Sequence, residues 1–492
     1  MKLIRNLFVV LAVVISSSVF ADWTTQEECW YSVTIDGKKS GWAHEVVAVE
    51  SETGNLKSSK EQNMTLSRGG IEISITVTSI FIETADGKPI SVDSTQEAMG
   101  QTQTTKWKFS ETELEMTTAA GGEPIVKTLP LPTETWLTPQ AVKRMFTKKM
   151  NEGIYAITYQ TMAPELGPSI ITVVMTKKGE STQNVLGETR TVSSWETVND
   201  KMPIVGTEYY TSDGLNIGSS MNAGFGAIEN KLVSKHDALS PVIEAPELME
   251  SVFVEPNKPI DNEAKKLTLS ITSKDGSAVT LPSVGVQRAT NNEDGSVTLV
   301  IDLETPLEAT EVELADENYL SASALCDGTD EAVIAIATDA LSGLPSDASD
   351  MDKALVLRRK VYDFIEEKGM STAFASASQT ARDKKGDCSE HGVLLCGVLR
   401  ASGIPSRGVM GMVYVPSYGA PNGVFGWHMW SQALVDGKWI DLDATLKTPY
   451  NVGHITTLTT SLSDEDFTTE MSGIIATIGN LEVEVVEEDS EK

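Results

Sequence analysis

Apolar and polar positions alternate through much of the first half of the chain. Ile71, Ile73, Ile75 and Val77 are separated by single polar residues, and Ile170–Met175 is a β-branched run; both patterns predict strands. Asp36-Gly37, Asp86-Gly87 and Asp213-Gly214 stand between such runs as hairpin turns. Glu83–Ile90 resembles Glu196–Ile204, a short match that either two similar hairpins or a duplication would produce. Residues 22–238 are therefore predicted as a β-rich accessory domain. The proline-marked stretch Ser240–Pro246 predicts a linker. Beyond it Leu267–Thr272 alternates again, and Asp294-Gly295 leads into a second strand at Ser296–Leu303. A small β-sandwich-like domain is predicted over 247–328.

From residue 329 the period changes from two to between three and four. Helices are predicted over 329–344 and 350–368, the second with an apolar stripe of Ala354, Leu355, Leu357, Val361, Phe364 and Ile365. A third helix fits Cys388–Ala401. Strands follow at Val409–Val415, Gly426–Val435 and Lys438–Leu442. Helices followed by a run of strands predict an α+β domain over 329–485, and residues 486–492 read as an acidic tail. The expected fold class is multidomain: a β-rich N-terminal region and a C-terminal α+β core.

Composition narrows the partners. Among 492 residues, 70 acidic side chains oppose 39 basic ones, a formal net charge of −31. That excess argues against nucleic acid and anionic lipid as partners. Lys2 and Arg5, the apolar stretch Leu7–Ile15 and the small-residue end Val19-Phe20-Ala21 read as a secretory leader over 1–21, with Asp22 starting the mature chain. The stretch is short for a membrane span, and no long apolar run follows. Export to a periplasmic or extracellular location is expected, with an uncleaved anchor as the alternative. Cys29, Cys326, Cys388 and Cys396 are too few for a disulfide scaffold, and Cys29 with Cys326 is the only pair outside the motif region. The histidines are not clustered along the chain as zinc ligands and no calcium loop is present, so neither metal nor cofactor is expected.

Candidate chemistry lies in three segments: Gly386–His391, Gly426–Trp430 and Trp439–Thr445. Cys388 stands at a helix start, with Asp387 as N-cap and the apolar face Val393, Leu394, Leu395, Val398 and Leu399 beyond it. A thiol in a first helical turn feels the positive end of the helix dipole, which favours thiolate. A small buried residue at a helix start would look the same. Cys396, among apolar residues two turns on, reads as core. Asp436-Gly437 is a two-residue hairpin signal. If Val435 pairs with Lys438, His428 falls opposite Thr445, and Asp443 is its diagonal neighbour at about 7–8 Å. Asp443 can then orient the imidazole. Asp441, opposite Gln432, is the competing carboxylate. Trp427, Trp430 and Trp439 crowd this hairpin, either lining a substrate groove or serving as core aromatics.

These segments, together with Leu399–Arg407, resemble the core of the transglutaminase-like superfamily over about residues 330–460. The resemblance implies a papain-like α+β fold with Cys388 as nucleophile, His428 as base and Asp443 as its orienter. It implies an oxyanion site at the Cys388 backbone N–H, for which Gln379 is the candidate supplementary donor. The family hosts protein cross-linking, amide or peptide hydrolysis and deglycosylation, and includes members that have lost catalysis. The expectation is an exported cysteine enzyme that forms a thioester on an amide of a protein or peptide substrate and passes the acyl group to water. Acyl transfer to amines and a non-catalytic binding module are the alternatives. The N-terminal two-thirds carries no motif of that family.

Overall fold

A computed structural model describes residues 22–489, except 69, 165–168, 203, 224–225, 248–251, 370–373, 417 and 465–478. The expected leader over 1–21 and the last three residues of the expected tail lie outside the described residues. Fourteen strands between Trp23 and Val233 form one antiparallel sheet. Its first eight strands make one meander and its last six another. They join where Trp23–Ile35 pairs with Ala227–Val233. The sheet curls until its flanks meet: Phe81, Trp107, Leu114 and Met116 share one apolar cluster with Met162 of the opposite flank. The helix Pro139–Asn151 packs on the same domain through Phe146, whose ring lies 5.1 Å from that of Trp195. The two similar segments at Glu83 and Glu196 both fall at hairpin ends.

The middle region departs from the expected domain. Gln287–Asn291, Val297–Asp302 and Lys266–Ser273 form a sheet whose fourth strand, Leu481–Asp489, returns from the C-terminus. The 247–328 segment is thus no self-contained sandwich, and residues 486–489 are strand rather than tail. A single sheet must cover its apolar face. Leu267, Leu269, Ile271 and Val483 do so against Met412, Phe425 and Ile455 of the C-terminal region, so the two sheets together make the sandwich.

In the C-terminal region the elements that carry the site are helices α1 (Glu331–Leu341), α2 (Asp350–Phe364), α3 (Ala377–Asp383) and α4 (Cys388–Ala401). They are accompanied by strands β1 (Ser406–Val415), β2 (Val424–Val435), β3 (Lys438–Leu442) and β4 (His454–Thr460), in sheet order β3-β2-β1-β4. This is an α+β arrangement. Strand β4 had no counterpart in the pattern reading. Helix α4 is buried along nearly its whole length, with α1, α2 and α3 around it and Met429 and Ala433 of β2 in the same core. Leu355, placed in the apolar stripe of α2 by spacing, is exposed instead. Cys29 lies in the N-terminal core and Cys326 in the C-terminal one beside Cys396, so the Cys29–Cys326 pairing does not occur; all four thiols are free. Among the described residues no helix is long and apolar enough to cross a membrane.

Candidate active site

Helix α4 starts where it does because its first turn is capped from both sides. Asp387 Oδ1 accepts from the Ser389 N–H at 2.8 Å, and Glu390 Oε2 accepts from the Asp387 N–H at 2.8 Å. Gly386 is required by space, since a Cβ there would lie 2.3 Å from the Glu390 Cβ. This cap sets Cys388 at the first helical position, partly exposed.

The β2–β3 hairpin has the register read from its turn. Val435 pairs with Lys438 and Gln432 with Asp441, and Asp436 and Gly437 take the left-handed φ values of 50° and 75° that the tight turn needs. The ladder ends at Ser431 and Leu442. Asp443 lies just past it, and its Oδ2 meets His428 Nε2 at 2.9 Å. Cys388 lies near enough to the same imidazole to raise its basicity, while Nε2 is taken up by Asp443. The His428 side chain is only 7% exposed.

Electrostatics follow from this burial. Burial disfavours the His428 cation, but the Asp443 charge and hydrogen bond, with the Cys388 contact, outweigh it and push the imidazole up to about 10. Burial also opposes the Asp443 anion, yet the charge and hydrogen bonds of His428, joined by His454, hold its carboxyl well below the usual range. An imidazole oriented beside a thiol can take up its proton as the sulfur attacks. Asp443 Oδ1 accepts from the Thr445 N–H at 2.7 Å. Arg358 of α2 donates to the carbonyls of Asp443 at 2.5 Å, Thr448 at 2.6 Å and Leu446, tying down the loop after β3. Asp441 does not reach His428. Its Oδ1 accepts from Trp430 at 2.9 Å and Gln432 at 2.8 Å, its Oδ2 is buried without a partner, and burial pushes its carboxyl up toward the neutral form.

The remaining sequence candidates stand elsewhere. Gln379 donates to Asp383 at 2.6 Å, and its side chain faces Gly121 of the N-terminal sheet. Its near neighbour Ala377 packs on Gly397, nine residues along α4 from Cys388, about 13 Å at the helical rise. Gln379 is thus outside the site as an oxyanion donor. Trp430 and Trp439 are 1% and 2% exposed, so their rings are almost wholly packed, although Trp439 borders a pocket beside Arg358, Asp443 and Tyr450. Trp430 stacks near His428 and bonds Asp441, while Trp439 is held between Arg407 at 3.9 Å and Tyr319 at 4.9 Å. Trp427 is half-buried and packs on both C-terminal core clusters.

Two residues escaped the sequence reading. His454, wholly buried at the start of β4, places Nε2 3.2 Å from Asp443 Oδ2. Arg358 sits at a helical position that spacing alone assigns to a solvated face. So the histidines, scattered in sequence, do converge: His428, Asp443 and His454 offer ligand-type atoms within 4.8 Å of one another. Hydrogen bonds among the three account for that closeness. His391, a turn into α4, gives its Nδ1 proton to the Asp387 carbonyl at 2.6 Å, and burial pushes it down to about 4, so it is neutral.

Fold and site together define an α+β domain with a Cys–His–Asp constellation at a helix start and a hairpin edge. Residues 336–444 match the model described as the transglutaminase-like superfamily. No curated protein matches the chain. Three solved structures are similar at low identity. A β-barrel-like protein of the DUF1849 domain of unknown function from Brucella abortus is 10% identical with a TM-score of 0.34, over 42% of this chain and 95% of its own. A cysteine-protease candidate from Cytophaga hutchinsonii is 16% identical with a TM-score of 0.28, over 49% of this chain and 89% of its own. A protease candidate from Parabacteroides distasonis is 12% identical with a TM-score of 0.17, over 81% of this chain and 65% of its own.

Proposed function

We propose that the C-terminal domain is a thiol hydrolase of amide bonds in a protein or peptide substrate, with Cys388, His428 and Asp443 as its catalytic triad. The observation that supports this reading is the buried His428–Asp443 hydrogen bond at 2.9 Å, with Cys388 at the start of α4 near enough to act on the same imidazole. Cys388 Sγ adds to the amide carbonyl carbon, with the Cys388 backbone N–H facing the developing oxyanion. The C–N bond breaks as His428 protonates the departing amine, leaving a thioester. Water then gives a proton to His428, adds to the thioester carbon and releases the acid as the C–S bond breaks. Export through the leader is part of the same proposal, and places the substrate outside the cytoplasm. The test supplies a glutamine-containing casein and a labelled primary amine, and follows fragments and amine incorporation together. Fragments without incorporation, lost in Cys388→Ala, are expected. Incorporation without fragments would favour acyl transfer. Neither product, with Cys388 inert to alkylation, would favour a binding module.

A further inference from the structure

His454 contacts acceptors on both sides of its ring. Nε2 lies 3.2 Å from Asp443 Oδ2, and Nδ1 lies 3.1 Å from the Asn451 carbonyl oxygen. A carboxylate and a carbonyl offer lone pairs only, so both contacts are hydrogen bonds only when both ring nitrogens carry protons. A neutral ring would aim a lone pair at one of these oxygens, in a place with no solvent exposure to relieve it. The ring is enclosed by Tyr450 at 4.3 Å and the Trp430 edge at 5.2 Å, and the His428 ring is 6.1 Å away. Asp441 on β3 acts on it electrostatically, and Tyr414 of β1 lies behind Gly453. Asp443 is thus the anion that two imidazoles share.

We propose that His454 is a positioning residue that, as a buried imidazolium, fixes the Asp443 carboxylate and shares its charge with His428. The inference rests on the proposed triad. Oδ1 is held by the Thr445 and Leu446 N–H groups and Oδ2 by the two histidines, so the carboxylate keeps one orientation. Two cations on one carboxylate also repel each other. His454 therefore makes the His428 imidazolium more ready to give up its proton than Asp443 and Cys388 alone would allow. That suits a group that must protonate a departing amine and then accept a proton from water.

The test measures the rate of Cys388 carboxymethylation by iodoacetate against pH, in the full chain and in His454→Ala, His454→Gln and His428→Ala. The anionic reagent reacts with a thiolate beside an imidazolium, so the rate falls as His428 deprotonates. His454→Ala is expected to slow the neutral-pH rate on the order of tenfold by releasing the carboxylate. His454→Gln retains an N–H for Asp443 and is expected to recover most of that loss. In both, the alkaline limb is expected to move up by about one pH unit, a shift that loss of packing does not produce. A folded His454→Gln with the wild-type profile would overturn the inference and leave the triad intact. A wild-type profile without an alkaline limb, or one unchanged in His428→Ala, would sink the triad reading itself. Nitrogen-15 labelling of histidine in the wild type needs no variant to fold. Two protonated ring nitrogens on His454 at neutral pH are expected, and a singly protonated ring refutes the imidazolium.

Discussion

Asp441 and Asp443 lie two residues apart, and their surroundings give them different charge states. Asp443 is an ionised acceptor for two histidines, whereas Asp441 is driven toward its neutral form by burial. Asp443→Asn removes the charge that holds the His428 imidazolium, and a loss of activity of about 10⁴-fold is expected, as in serine triads. Asp441→Asn keeps an uncharged group whose oxygen still accepts from Trp430 and Gln432, and a loss below about tenfold is expected. Steady-state kinetics on any cleaved substrate, or Cys388 alkylation, separates the two variants, and equal losses would refute the division. The His428–Asp443 pair also sets a pH dependence of stability. His428 rises from 6.5 to about 10 on folding, so its contribution is complete below 6.5 and is lost as pH climbs through about 10. Asp443 is shifted down, so its contribution is complete above the unfolded carboxylate range and fades only in acid. The midpoint of thermal unfolding should therefore fall between pH 6.5 and 10, and fall less steeply in His428→Gln. Parallel slopes by calorimetry would contradict this.

At the level of elements, the place of the Cys388 thiol depends on how α4 begins. The mutual cap between Asp387 and Glu390 leaves no room for a side chain at Gly386. Gly386→Ala is expected to cost about 1–3 kcal/mol and to lower the alkylation rate of Cys388, because the new Cβ displaces Glu390. Unchanged urea unfolding and labelling would show the cap to be dispensable. Cysteine position along the helix gives an internal contrast. Cys388 opens α4 and is partly exposed, while Cys396 lies in its buried middle against Cys326. In the native protein iodoacetamide is expected to label Cys388 first, in a His428-dependent way, and to leave Cys29, Cys326 and Cys396 unmodified until unfolding. Equal labelling of all four by mass spectrometry would remove the case for an activated thiol.

For the molecule as a whole, the unit that folds around the site is larger than the segment 336–444 that matches the superfamily model. Strand Leu481–Asp489 completes the middle sheet, and that sheet covers Met412, Tyr414, Phe425 and Ile455 on the back of the β3-β2-β1-β4 sheet. Residues 329–485 alone would leave that apolar face in water, at roughly 25 cal/mol for each Å² uncovered. A chain of 329–485 is therefore expected to be insoluble or molten, whereas 247–492 is expected to unfold cooperatively. A cooperative transition in the shorter chain, followed by near-ultraviolet circular dichroism, would show the middle sheet to be accessory. The N-terminal sheet meets this unit by a smaller contact, with Gly121 and Gly122 against Gln379 and Ser378, and Lys127 3.5 Å from Asp464.

Local chemistry was legible along the chain. The cap residue ahead of Cys388, the apolar face of α4 and the Asp436-Gly437 turn each act over a few residues, so spacing alone gave the helix start, the hairpin register and the placing of Asp443 beside His428. What spacing could not reach depended on contacts between distant segments. Leu481–Asp489 joins Lys266–Ser273 because two apolar faces cover each other, and neither strand announces its partner. His454 meets Asp443 because β4 pairs with β1, which carries a lone histidine with no periodic signal to the buried end of the hairpin. Trp430 and Trp439 are packed and Gln379 faces the N-terminal sheet for the same reason: a residue type tells what a side chain can do, while packing fixes whether it faces the core, a pocket or another domain.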